Sequence, residues 1–91
     1  MLDHSKIISN INRAISVAKF KPMPTSVNFY KNIMGNDIIS IKLECATLKD
    51  HAVFKNIVVR AIGRANVHHV NFSRKQDSTE LCTIDHRFII E

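Results

Sequence analysis

Tryptophan is absent from this chain of 91 residues, and tyrosine occurs once. Proline, glycine and cysteine occur twice each. The scarcity of proline and glycine argues against linkers, low-complexity segments and disorder. Gly35 and Gly63 stand far apart, so no Gly-rich loop is available to cradle a phosphate. Cys45 and Cys82 form no C-x-x-C pair, and two cysteines are too few for a disulfide scaffold in so short a chain. Both fall in apolar strand-like runs and are expected to be buried free thiols. The stretch Met1 to Phe20 alternates polar and apolar residues instead of carrying a secretory signal's apolar block, and no run approaches transmembrane length. A cytoplasmic protein, of a cell or of an infected host cell, is the expectation, with no membrane partner.

What is present is an ordinary globular balance, 45% hydrophobic and 23% charged residues, enough for a single domain over residues 1–91. Net charge is +5, which favours acidic partners such as nucleic acid or an acidic protein surface. Ile, Lys and Asn are abundant, as in proteins of AT-rich genomes, phages among them. A domain of this size buries a modest fraction of its surface, which leaves room for a homodimer.

Hydrophobic spacing predicts the elements. Ile7, Ile8, Ile11, Ala14, Ile15 and Ala18 form a helical stripe, capped by Asp3 or Ser5 and ended by Pro22 and Pro24. Val27, Phe29, Lys31 and Ile33 alternate with polar residues and read as a strand. A short helix between Ser26 and Gly35 competes, but the next run, Asp37 to Cys45, is clearly β. A loop around Met34-Gly35-Asn36 would set Phe29 opposite Ile41 and Val27 opposite Leu43. A second helix starts at Thr47 with Asp50 as a capping pair, carries Val53, Phe54, Ile57, Val58, Ala61, Ile62 and Ala65, and stops at Asn66. A closing hairpin runs from Val70 and Phe72 through a turn at Lys75-Gln76-Asp77-Ser78. Its return strand shows Cys82, Ile84, His86, Phe88 and Ile90 on one face.

The chain reads as one unit written twice. A shift of 43 residues lays Val27-Asn28-Phe29 on Val70-Asn71-Phe72, and Ile38-Ile39-Ser40-Ile41 on Leu81-Cys82-Thr83-Ile84. The helix stripes superpose as well. The expected fold is α+β, a two-layer αββαββ sandwich with a four-stranded antiparallel sheet and both helices on one face, the repeats being 3–45 and 47–90. Its expected core is Ile8, Ile11, Ile15, Val27, Phe29, Ile39, Ile41, Leu43, Phe54, Ile57, Val58, Ile62, Val70, Phe72, Ile84 and Phe88. The opposite sheet face would carry Asn28, Tyr30, Asn32, Ser40, Lys42, Asn71, Ser73, Lys75, Thr83, Asp85 and Arg87. Ile38, Leu81 and Ile89 interrupt that polar face and are read as part of a dimer interface.

This αββαββ order resembles the core order of the LAGLIDADG homing endonucleases, which read DNA with a curved sheet. That family places a metal-holding acid at the helix ends. Here those ends carry Lys19-Phe20 and Arg64-Ala65 and the family's small-residue helix motif is absent, so the resemblance is one of topology and metal-dependent cleavage is not expected.

Five histidines raise the question of a metal. His68 and His69 are adjacent, so a strand turns them to opposite faces. His86 could approach His68, and Asp85 could approach His69, which gives two ligands per face where zinc takes three or four. No metal or cofactor is expected. Cys82 and His86 share a strand face but lie too far apart along it to act as a nucleophile and base. The chain is therefore read as non-enzymatic.

Basic residues remain. Asn56, Arg60 and Arg64 form a ladder on the second helix, with Lys49 and Lys55 beside it, suited to successive phosphates. Tyr30 with Lys42, Lys75 and Arg87 on the sheet makes a second surface, suited to single strands. Two functions of different class follow. The first is a small nucleic-acid-binding or regulatory protein, of DNA or RNA. The second is a phage-type inhibitor or adaptor that docks on a larger host protein through sheet edges and the apolar residues Ile38, Leu81 and Ile89.

Overall fold

A computed structural model describes residues 3–63 and 66–91. The elements are α1 (His4–Val17), β1 (Ser26–Lys31), β2 (Asp37–Ala46), α2 (Leu48–Ile62), β3 (Val67–Gln76) and β4 (Cys82–Ile90). The four strands pair antiparallel in the order β1-β2-β4-β3. The fold is the α+β arrangement that the alternating periodicities predict. Residues 27–31 are strand, not helix.

Both helices pack on one sheet face. Ile7, Ile11 and Ile15 of α1 and Phe54, Ile57, Val58 and Ile62 of α2 bury against Ile39, Ile41, Leu43, Phe88 and Ile90. The Asp3 carboxylate caps α1 by accepting from the Lys6 amide at 3.1 Å. The Thr47 hydroxyl caps α2 by accepting from the Asp50 amide at 3.1 Å. Such caps satisfy amides that have no partner inside the helix.

The helix ends differ from expectation. Pro22 and Pro24 do not stop α1, which closes at Val17. Lys19 takes a left-handed conformation (φ 55°), and the Phe20 amide turns back to the Ile15 carbonyl at 3.0 Å. This brings Phe20 against Phe54, ring centroids 5.8 Å apart. A left-handed Gly63 (φ 68°) likewise ends α2 three residues before Asn66.

Register corrects several further expectations. Phe29 lies opposite Ile39, and Val27 opposite Ile41, because the first hairpin turns over Asn32–Asn36. The Asn32 side chain accepts there from the amides of Met34 and Asn36 at 3.0 and 2.9 Å. The second hairpin turns later than expected, after Gln76. Two bulges matter most. One lies between Leu43 and Ala46, so Ala46 takes the core place and Cys45 is exposed with φ 54°. The other lies between Asn71 and Ser73 and leaves Phe72 without a partner on β4.

A bulge shifts the inward and outward sets of a strand by one residue. Ahead of it, Val67, His69 and Asn71 lie opposite Ile90, Phe88 and His86 and so share the helix-covered face. Val70 and Phe72 are exposed rather than core, and Asn71 is not on the open face. Ile8 and Val27 also stay largely outside the core, while Ile7, Ala46, His51, Cys82 and His86 are buried in it. The two αββ units thus agree in element order, but the Val-Asn-Phe stretches do not occupy matching places.

Candidate functional site

The sheet face opposite the helices is uncovered among the described residues. Its cross-strand rows follow from the register: Tyr30, Ile38, Ile89 and His68 in one, Asn28, Ser40, Arg87 and Val70 in the next. Ile38 is buried on this face, while Tyr30 and Val70 are exposed at its two sides.

Arg87 is the centre of the face. Its guanidinium carbon lies 3.3 Å from the ring centroid of Phe72 and 5.6 Å from that of Tyr30. Its Nε sits 3.9 Å from Asp85 Oδ2, and the Ser40 hydroxyl donates to Asp85 Oδ1 at 2.7 Å. Arg87 Nε is buried and has no hydrogen-bond partner among the described residues. A cation held over an aromatic face is attracted by the ring quadrupole. Phe72 of β3 thus stacks on this guanidinium, while Asp85 of β4, itself bonded by Ser40 of β2, supplies a nearby charge.

Beside it, Lys42, Glu44, Cys45, Phe72, Ser73, Lys75, Asp77, Thr83 and Asp85 line a depression of about 500 Å³. Lys42 and Lys75 are its cations. The Asp77 charge pushes the Cys45 thiol up, away from thiolate. The Thr83 hydroxyl donates to Asp77 and holds that carboxyl below the usual range.

The helix-borne cations do not gather in one place. Asn56 and Arg60 line a groove of about 440 Å³ with Ala14, Val17, Ala18, Val53 and Ile57. Lys55 does not line this groove; burial, then the charge of Lys55, lowers the proton affinity of His69. Lys49 is exposed at the start of α2. Arg64 lies outside the described residues.

Of the sheet residues named from sequence, Tyr30 and Arg87 are brought together, and Lys42 and Lys75 meet at the depression. Phe72 was missed. Alternation places Val70 and Phe72 in the core and gives no sign of the bulge, after which Arg74 and Gln76 still lie opposite Ile84 and Cys82.

The histidines also sort differently. His68 faces the open side and lies 3.2 Å from the Glu91 carboxylate. His69, not His68, meets His86: His69 Nε2 is 2.7 Å from His86 Nδ1. His86 Nε2 is 2.9 Å from His51 Nδ1, and His51 Nε2 is 2.9 Å from the Cys82 carbonyl. His86 offers a different nitrogen to each neighbour, so the rings do not converge on one ion. His86 also engages histidines rather than the Cys82 thiol, which leaves that pair without nucleophile geometry. Burial, then the neighbouring His69 and His51, pushes His86 down to about 3.

Comparison with family models, curated proteins and solved structures finds no match. No described helix is long and apolar enough to cross a membrane.

Proposed function

We propose that this chain is a small non-enzymatic binding protein that takes single-stranded nucleic acid across its open sheet face, in a regulatory role. One observation carries the reading: Tyr30, Arg87 and Phe72 form a cation-aromatic row on a face that the helices leave uncovered. Every base has a π-face, so aromatic platforms bind single strands with little sequence preference. The net charge of +5 adds a general attraction for phosphate. Lys42 and Lys75 beside Phe72 supply phosphate contacts at the edge of the row.

The sheet face is preferred over the α2 ladder because, of the ladder residues described, only Asn56 and Arg60 line the groove beside it. A titration of labelled single-stranded and duplex oligonucleotides at two salt concentrations tests the proposal. Single strands should bind more tightly, with affinity falling as salt rises. Absence of binding to any single strand at low salt sinks it.

A second reading has its own observation. Val70 and Phe72 are 46% and 59% exposed on the face that also holds Ile38 and Ile89. Such apolar exposure suits docking on a larger protein, as an inhibitor or adaptor does, or on a second copy of the chain. Sedimentation of the isolated chain tests the second copy. Salt-insensitive capture of one host protein after nuclease treatment would favour the inhibitor.

A further inference from the structure

The three hydrogen-bonded histidines join three elements: His51 on α2, His86 on β4 and His69 on β3. One carbonyl fixes their tautomers. The Cys82 carbonyl can only accept, so His51 Nε2 donates to it. His51 Nδ1 then accepts from His86 Nε2, and His86 Nδ1 accepts from His69 Nε2. In the neutral chain each ring is then an Nε2–H tautomer, and His69 Nδ1 is the one ring nitrogen of the three without a partner in the chain.

We propose that this chain is a pH-operated latch on edge strand β3, which acid opens over residues 67–71 before the rest of the fold yields. β3 is an edge strand with a ladder on one side only, and its ladder is interrupted at Phe72. Most of its side chains are exposed; Val67 and His69 alone are half-buried. Among the described residues, His69 makes the strand's one side-chain hydrogen bond to the helix-covered interior.

Charge has no relief inside. From α2, His51 and Lys55 face the chain, and Lys55 already disfavours a cation at His69. From β4 the chain meets the Cys82 carbonyl and the Phe88 ring, and from α2 the Phe54 ring. Asp85 is on the opposite sheet face with Ser40 and Arg87, and His68 is there with Glu91. No carboxylate of the described residues faces the half-buried ring, so a cation on His69 is better solvated when the strand releases it to water. Burial as the main cause of the lowered proton affinity of both His69 and His86 agrees with this.

The latch does not depend on what the sheet face binds. Amide hydrogen exchange of the full chain, corrected for intrinsic rates, tests it between pH 7.5 and 5. Opening of residues 67–71 should rise about tenfold per pH unit below roughly 6.5 for each proton taken up on opening. Residues 38–43 of β2 should stay protected over the same range. His69→Gln keeps an N–H donor for His86 but takes no proton, so its slope should fall, by up to about a factor of ten per pH unit. Opening that ignores pH, or β2 and β3 losing protection together, overturns the proposal in the wild-type protein alone. An unchanged slope in His69→Gln overturns it as well.

Discussion

Arg87 lies with its guanidinium carbon 3.3 Å from the centroid of the Phe72 ring, on the sheet face opposite α1 and α2. The contact exists because Phe72 is the extra residue of a bulge. With the register of residues 73–76 extended back unbroken, its side chain would share the face of His86. One inserted residue converts a core phenylalanine into an exposed platform and brings His69 inward in exchange. The open face and the buried histidine chain are therefore consequences of the same irregularity.

If that platform stacks bases, Phe72→Ala should weaken single-strand binding by about 1–3 kcal/mol, roughly five- to 150-fold, with little loss of stability. The small stability cost follows from the 59% exposure of the side chain. Binding titration and a urea melt of the same variant check both parts. Phe72→Tyr should retain most of the affinity, because it keeps the ring.

Asp85→Asn should strengthen binding at low salt by a few-fold. The carboxylate lies 3.9 Å from Arg87 and partly neutralises the cation offered to phosphate. Asparagine can still accept from Ser40, so the strand geometry is kept. A titration in which Asp85→Asn binds more weakly would assign the aspartate a role in holding Arg87 that outweighs its charge.

Acid should destabilise the protein through the histidines before the carboxylates titrate. His86 is pushed down to about 3, and His69 is also lowered. An unfolded histidine titrates near roughly 6.5, so below that pH the unfolded state binds more protons than the folded one. Stability is thus full above about 6.5 and falls progressively as pH drops toward the folded value, by at most about 1.4 kcal/mol per pH unit for each proton. Urea midpoints between pH 7.5 and 5 check this, and His69→Gln should flatten the curve.

Gly63→Ala should cost about 1–2 kcal/mol, because Gly63 ends α2 with φ 68° and an L-residue there is strained. The nearest atom to an added Cβ is the Arg60 carbonyl at 3.9 Å, so the cost is conformational rather than steric. Thermal melts measure it directly.

The sequence carried the helices, the central strands and the layer order well. Ile11 and Ile15, Ile39 to Leu43, and Cys82 to Ile90 bury as their periodicity requires. Alternation failed where the backbone inserts a residue. Period-two reasoning assigned Cys45 to the core row and Phe72 to the core, and both bulges reverse those assignments. The histidine chain was hidden for the same reason. His51 lies outside the apolar stripe read on the second helix, and His69 met His86 only after the bulge fixed the strand's facing. Helix ends were also set by left-handed residues, Lys19 and Gly63, rather than by the more conspicuous Pro22 and Asn66. Of the candidate site, Tyr30, Lys42, Lys75 and Arg87 were legible as outward positions. Their partner Phe72 was not.

The most direct measurement is chemical-shift mapping of the labelled full chain with a short single-stranded oligonucleotide. The account predicts the largest changes at Tyr30, Phe72 and the Arg87 guanidinium, with smaller ones at Lys42 and Lys75 and little along Asn56 and Arg60. Changes concentrated on Asn56 and Arg60, with the sheet face unaffected, would contradict it.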